Sequence, residues 1–405
     1  MKKKIAIFTG NRAEYGLQVP ILREIDKNPN LEYILIVSGA HLDPNFGTTI
    51  NEIKEDGFNI HETVNIKPYG SNLISTSNNI GQIVIEITNI IEKYVPDIFL
   101  VYADRFETFG AAIAASQTNT VTAHVEGGDI TEGGALDDSV RHAITKLSHL
   151  HFATNDQAKT RILAMGEERW RVHKVGYPGI DLINVHDFYD EKKIKQILEI
   201  NLAKPIIIYT QHSVSNKFKL AKKQLEPALQ AMQKLIIDYD AQCIITYPNN
   251  DAGGISIFKS LEEFSKTNNN IYLHQSLGRK LYWGLLNLAK KPNNKIVCVG
   301  NSSSGIKETP AFGCPVVNIG TRQAGRLKGD NIIDCDYDTT DIYNSIIKCL
   351  FNKKHITKCR ETVNPYGIGD AGKKIVSVLD SIELNDSLLT KKMTIKGEEK
   401  SNWYR

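Results

Sequence analysis

Short runs of β-branched and aliphatic residues recur along this chain, each followed by a longer stretch whose apolar positions return every three or four residues. Runs at 4–9, 33–38, 98–102, 121–125 and 150–153 predict strands in the first half, with helices at 83–94 and 137–147. After a passage holding Gly176, Pro178 and Gly179, the alternation restarts. It predicts strands at 205–210, 243–247, 271–273, 295–299 and 315–319, and helices at 219–238 and 281–290. Strands that are apolar at every position are buried on both faces, so their alternation with helices predicts parallel sheets covered on both sides. The expected fold is α/β, with two Rossmann-like, doubly wound domains at 1–180 and 181–365 and an interdomain cleft. A helix at 370–382, within a C-terminal segment 366–385, is expected to pack back on the first domain. Residues 386–405 are polar and are expected to form a flexible tail.

Composition narrows this picture. A chain of 405 residues exceeds the usual size of one hydrophobic core, and 41% apolar residues suffice for two. The net charge of 49 − 46 = +3, without a basic patch interleaved by aromatics, gives no reason to expect a nucleic-acid partner. The apolar run after Met1 breaks at Gly10, too short for a signal peptide, and no stretch is long enough to span a bilayer. Six cysteines without a CxxC pair read as reduced, buried thiols, so the expected compartment is the cytoplasm.

In open parallel sheets, ligands bind beyond the carboxyl ends of the strands. That rule selects Asp104 after the strand at 98–102, Glu126 after 121–125, and Asp137 or Asp138 at the start of the helix at 137–147. Asp137 and Asp138 could cap their helix, and Asp104 could pair with Arg105. Glu126 before Gly127-Gly128 is harder to dismiss, since a turn needs no carboxylate there. In the second half, Gly300-Asn301-Ser302-Ser303-Ser304-Gly305 follows a strand, and its backbone amides could hold a pyrophosphate. Glu308, one turn later, could accept hydrogen bonds from ribose hydroxyls. His212 lies just past the strand at 205–210. Neither a Walker A sequence nor GxGxxG is present, and His149 and His151 lack a carboxylate or cysteine set, so no metal or cofactor is expected.

The segments FTGNRAEYG, VYADRFE, HVEGGD, DDSVRHAITKLSHLHF, PNNDAG, GNSSSGIKE and NIGTRQAGR stand in the order found in the hydrolysing UDP-N-acetylglucosamine 2-epimerases. The chain resembles that family over about 4–380. The group includes sialic- and legionaminic-acid pathway enzymes of bacteria and the epimerase half of the animal bifunctional enzyme. The resemblance implies a GT-B architecture, a nucleotide-sugar substrate and a homo-oligomer, dimer or tetramer. It also implies elimination of the nucleoside diphosphate to a glycal, then hydration with inversion at carbon 2. By position, Asp104, Glu126 and Asp137 (or Asp138) resemble the catalytic carboxylates, and His212 the histidine near the leaving group. Arg12, Ser302, Ser303, Glu308 and Arg322 resemble the nucleotide-binding set, with Arg105, Asn249, His274, Gln323 and Arg326 as further substrate contacts.

Three places depart from the family. The stretch 131–136 is longer than in the animal enzyme, Ala103 stands where glycine is usual, and Ser213 stands where proline is common. A 4-acetamido-6-deoxy sugar would be one reason for the last two. The rival readings are a non-hydrolysing epimerase, a GT-B glycosyltransferase and a catalytically silent nucleotide-sugar binding protein. The GTRQAGR and DDSVRH segments favour the hydrolysing branch.

Overall fold

The computed structural model describes residues 2–43, 49–66, 73–131, 136–248 and 253–394. The chain forms two compact units. Among the described residues, the first draws on those within 2–130, 136–184 and 366–394, and the second on 131 and those within 185–365.

The first unit holds seven strands: β1 (Lys3–Thr9), β2 (Leu31–Ser38), β3 (Glu62–Val64), β4 (Ile98–Tyr102), β5 (Val121–Val125), β6 (Leu150–Ala153) and β7 (Val172–Lys174). They lie in the order β3-β2-β1-β4-β5-β6-β7, all parallel. The second unit holds β8 (Ile206–Thr210), β9 (Gln242–Thr246), β10 (Ile271–His274), β11 (Ile296–Gly300), β12 (Val316–Ile319) and β13 (Ile332–Cys335). Their order is β10-β9-β8-β11-β12-β13, again all parallel. All ten strands read from the hydrophobic pattern are present. The three not anticipated, β3, β7 and β13, are short, half-exposed edge strands. Each has a single neighbouring strand, is three or four residues long and includes an exposed position, so none carries a continuous apolar run.

Each sheet grows outward from its first strand, and the chain then crosses to that strand's other side. The reversal falls between β1 and β4 in one sheet and between β8 and β11 in the other. At such points the loops after neighbouring strands diverge to opposite faces and leave a crevice for ligand. Helices Leu73–Tyr94 and Phe106–Gln117 cover one face of the first sheet, burying Ile83, Ile87, Ala111 and Ala115 against Phe8, Phe99 and Val101.

Helix Ala371–Ser381 belongs to the first unit and packs on helix Arg12–Lys27. Lys3 Nζ caps its end, donating to Leu379 O at 2.7 Å and to Asp380 O and Ile382 O at 2.9 Å. Residues 386–394 differ from the flexible tail expected of them. Asp386–Leu389 is a helical turn, and Leu388 and Thr394 are buried. Polarity is a poor guide there because the segment is held through its carbonyls. The buried Arg171 donates to Ser387 O and Leu388 O, both at 2.7 Å. Residues 395–405 lie outside the described residues. All six cysteines are buried thiols outside any disulfide. Among the described residues no helix is long and apolar enough to cross a membrane.

Candidate active site

β4 and β5 end side by side, with Tyr102 opposite Val125. The next residue along each strand takes a left-handed backbone conformation: Ala103 at φ +59° and Glu126 at φ +67°. Neither is glycine, so each costs roughly 1–2 kcal/mol. Hydrogen bonds hold them there. Ala103 N–H donates to Val125 O at 2.9 Å, and Glu126 N–H to Phe152 O at 3.0 Å. The His124 ring lies with Nε2 2.7 Å from Ala103 O and Nδ1 3.1 Å from Thr145 Oγ1. Burial pulls its pKa down to about 3, so the ring is neutral, and Nε2–H must be the donor because a carbonyl only accepts. The Glu126 carboxylate is itself buried and accepts the Tyr102 hydroxyl at 2.7 Å.

Asp104 is held by a residue not singled out in the sequence. Arg141, fully buried on helix Leu136–Leu147, pairs with Asp104 through Nη2 and with Asp138 through Nη1 at 3.0 Å. The same Nη1 donates to Asp129 O at 2.7 Å. Arg141 thus ties the ends of β4 and β5 to the start of this helix. Asp138 is buried in that cluster, whereas its neighbour Asp137 is exposed on the first turn.

A second pair of acids lies beneath the β1 and β4 ends. Asn11 caps helix Arg12–Lys27, and three residues later Glu14 reaches back to accept Gly10 N–H at 3.2 Å. Asn11 Oδ1 in turn accepts Glu14 N–H at 3.1 Å, so the two side chains close the helix start, with Glu14 taking the N–H of the residue before the cap. Glu107 is fully buried nearby and holds Arg105 through two contacts of 3.3 Å. Burial, and then the charge of Glu107, push the Glu14 carboxyl up from 4.5 to about 8. It therefore carries its proton in the folded protein at neutral pH and loses it on unfolding. The stability tied to that proton is complete below pH 4.5 and is lost as pH rises toward 8. Glu14→Gln should abolish this slope and raise stability at pH 8 by on the order of 2–4 kcal/mol, with little change at pH 4.5. Melting curves of both proteins at the two pH values test it, and parallel curves would refute it.

In the second unit the organising residue is Asn301, at the end of β11. Its side chain clasps the backbone of His212 at the end of β8, accepting from His212 N–H at 2.7 Å and donating to His212 O at 2.9 Å. Its own carbonyl accepts from Gln323 Nε2 at 2.9 Å and Arg322 Nη1 at 3.1 Å. Arg326 in turn donates to Gln323 Oε1 at 2.8 Å. The strands can approach this closely because Gly300, at φ +127°, has no Cβ; one would lie 1.9 Å from Thr210 O. Ser302 Oγ lies 2.9 Å from Ser304 Oγ, and Ser303 opens the short helix Ser303–Lys307. Glu308 accepts from Trp283 Nε1 at 2.6 Å, and Tyr282 OH lies 3.1 Å from Ser304 Oγ.

The fold therefore collects Asp104, Arg105, Glu126 and Asp137 at one end of the first unit's sheet, and His212, Arg322, Gln323 and Arg326 around Asn301 in the second, with Ser302, Ser303 and Glu308 following Asn301 along the turn and helix after β11. His274 stands apart, at the end of the edge strand β10 and two strands from β8. Its Nε2 is buried without a partner, and burial lowers its pKa. Asn249 and the side chain of Arg12 lie outside the described residues. His149 and His151 have structural bonds, His149 Nδ1 accepting from Thr122 N–H at 3.0 Å and His151 Nε2 meeting Glu167 at 3.0 Å. No group of three or more His, Cys, Asp or Glu among the described residues is placed to hold a metal.

Two parallel α/β units, one with acids and the other with a serine-rich turn at its strand ends, define a fold of the GT-B type. The chain belongs to the UDP-N-acetylglucosamine 2-epimerase family, whose sequence model matches residues 23–380. It is 32% identical over 391 residues to the UDP-N,N'-diacetylbacillosamine 2-epimerase (hydrolyzing) of Legionella pneumophila, covering 96% of this chain and 99% of that one. It is 33% identical over 341 residues to the GDP/UDP-N,N'-diacetylbacillosamine 2-epimerase (hydrolyzing) of Campylobacter jejuni, covering 84% and 86%. The fold is similar to a crystal structure of UDP-GlcNAc 2-epimerase from Neisseria meningitidis bound to UDP-GlcNAc. There the TM-score is 0.80 at 20% identity, with 93% of this chain and 99% of that one covered.

Proposed function

We propose that the chain is a hydrolysing 2-epimerase of a nucleotide-linked, N-acetylated amino sugar, with a UDP- or GDP-linked diacetamido sugar favoured over UDP-N-acetylglucosamine. The observation that supports the chemistry best is the pair of left-handed residues at adjacent strand ends, Ala103 and Glu126. Strain of this kind is kept where a side chain must be aimed, and here it aims Glu126 and the residue after Ala103, Asp104. The preference for a diacetamido sugar rests on the hydrolysing relatives from Legionella and Campylobacter.

In this reading one carboxylate of Asp104, Glu126 and Asp137 removes the proton from carbon 2. The electron pair left behind forms the C1=C2 double bond as the bond from carbon 1 to the nucleoside diphosphate oxygen breaks. Water then adds across the glycal: hydroxyl to carbon 1, and a proton to carbon 2 on the opposite face. The products are the free 2-epimer and the nucleoside diphosphate. Asp138 is buried against Arg141 whereas Asp137 is exposed on the first turn of the helix, and that exposure favours Asp137 over Asp138 as the third participating acid. His212, fixed by Asn301, serves the leaving group. Arg12, Ser302, Ser303, Glu308 and Arg322 hold the nucleotide, and amides and cations stabilise the departing charge. Arg105, Asn249, His274, Gln323 and Arg326 complete the substrate contacts.

Incubation with a panel of UDP- and GDP-linked N-acetylated sugars in deuterium oxide, followed by NMR, tests this. Free 2-epimer bearing one deuterium at carbon 2, with equimolar nucleoside diphosphate, is expected. An epimer still joined to its nucleotide would indicate a non-hydrolysing enzyme, and turnover only with an acceptor would indicate a glycosyltransferase. The nucleotide-binding assignment has its own test. Arg322→Ala and Glu308→Ala should each weaken nucleoside diphosphate binding by about 1–3 kcal/mol, the range for charged hydrogen bonds. Unchanged calorimetric affinity in both variants would move the nucleotide site elsewhere.

A further inference from the structure

Helix Leu136–Leu147 carries Asp137, Asp138 and Arg141 near its start. At its other end, the final carbonyls of a helix have no partner within it and form the negative pole of its dipole. Here that end meets Lys391, from the C-terminal segment. Lys391 Nζ donates to Lys146 O at 2.5 Å, Ser148 O at 2.8 Å and Thr145 O at 3.4 Å. It also pairs with the fully buried Glu167 at 3.2 Å. Glu167 is further held by Lys146 Nζ at 2.6 Å and His151 Nε2 at 3.0 Å.

The segment bearing Lys391 is fastened on either side. Before it, Arg171 Nη1 and Nη2 grip Leu388 O and Ser387 O, and Arg171 Nε pairs with Glu168 at 2.8 Å. After it, Thr394 N–H donates to Gly166 O at 2.7 Å. An ammonium with only 16% of its side chain exposed is costly to bury, and a plain surface tail gains nothing from it. Its contacts lead inward. Thr145, whose carbonyl Lys391 reaches, meets His124 through its hydroxyl, and His124 holds the left-handed Ala103 before Asp104.

We infer that the C-terminal segment 385–394 is a lock on the catalytic helix, with Lys391 as a positioning residue that sets where Arg141 and the acids stand. The inference rests on the assignment of those acids to catalysis. A helix of twelve residues spans about 18 Å and is stiff over that length, so pinning its last turn fixes its first. Lys391 touches no candidate substrate contact, and its loss should therefore act on turnover rather than on binding.

The test compares Lys391→Met, which keeps the packing of the stem, with Lys391→Ala assayed with and without ethylamine. Lys391→Met should lower kcat about tenfold, with KM and nucleoside diphosphate affinity within about twofold of the parent. Ethylammonium bound in the space left by Lys391→Ala should restore most of the lost kcat. Unchanged kcat in Lys391→Met overturns the inference. So does a loss that tracks the melting temperature in both variants and that ethylamine does not relieve. If Lys391→Ala fails to fold, the kcat-against-KM result of Lys391→Met decides alone. Glu126→Gln in the same assay separates the two ideas: its retaining full turnover defeats the assignment of the acids, whereas an inactive Glu126→Gln beside a fully active Lys391→Met defeats only the lock.

Discussion

Glu126→Gln should fold, bind nucleoside diphosphate and lose at least about 100-fold in turnover, the lower range for removing a general acid or base. Glutamine fits the site. It occupies the same volume, its backbone meets the same left-handed strain at φ +67°, and its amide oxygen can still accept the Tyr102 hydroxyl. What it cannot do is take a proton from carbon. Asp104→Asn should lose turnover similarly but is the less clean substitution. Asp104 shares the buried guanidinium of Arg141 with Asp138, so the amide leaves that cation one carboxylate short. A stability loss of about 1–3 kcal/mol is expected there besides the kinetic loss. A substrate deuterated at carbon 2 reports whether proton removal is the damaged step. Near-normal turnover in Glu126→Gln, with a melting temperature many degrees lower, would make this carboxylate a structural one.

The first unit should also be acid-labile. Burial holds His41, His149 and His151 down to about 4 and His124 to about 3, against an ordinary value of 6.5. Each stays neutral in the folded unit while the unfolded chain takes up a proton. The stability they contribute is complete above pH 6.5 and is lost as pH falls toward 4. At pH 5 each has lost about 2 kcal/mol, from a pKa unit being worth 1.36 kcal/mol. Glu14 works in the opposite sense and returns about 3 kcal/mol between pH 7 and 5, leaving a net loss of about 5 kcal/mol. That is comparable to the whole stability of many domains. Below pH 4.5 the ion-paired Glu167, held down to about 2, adds its own loss. An unfolding midpoint between about pH 4 and 5 is expected. Calorimetry at pH 5.5 in buffers of different ionisation enthalpy should show uptake of about three protons on unfolding. An uptake near zero would mean that these histidines are charged in the fold.

Much of this was legible in the order of residue types. Apolar runs of four to five residues mark β1, β4, β8 and β11 because strands covered on both faces leave no polar register. The carboxyl end of such a strand is where ligands bind in open parallel sheets, so the sequence marks Asp104, Glu126, His212 and Ser302 as candidates. These relations are local: they depend on spacings of two, three or four residues, and periodicity reports them directly.

The tertiary structure decided what depends on distant residues meeting. Arg141 lies 37 positions from Asp104, and Asn301 lies 89 from His212. Each pair is adjacent only because the strand order places β4 beside β5 and β8 beside β11. Two neighbouring aspartates at a helix start are indistinguishable in sequence, yet one turns inward to Arg141 and the other faces out. Left-handed Ala103 and Glu126 run against the preferences of their residue types, so strain that the surroundings impose could not be read from identity. The segment 386–394 looks like a tail because its anchors are its own carbonyls, gripped by an arginine 217 residues away, and by a lysine that it lends to the helix bearing the acids. Hydrophobic pattern specifies which surfaces a chain must bury. Which polar groups then satisfy one another inside is determined only once those surfaces have closed.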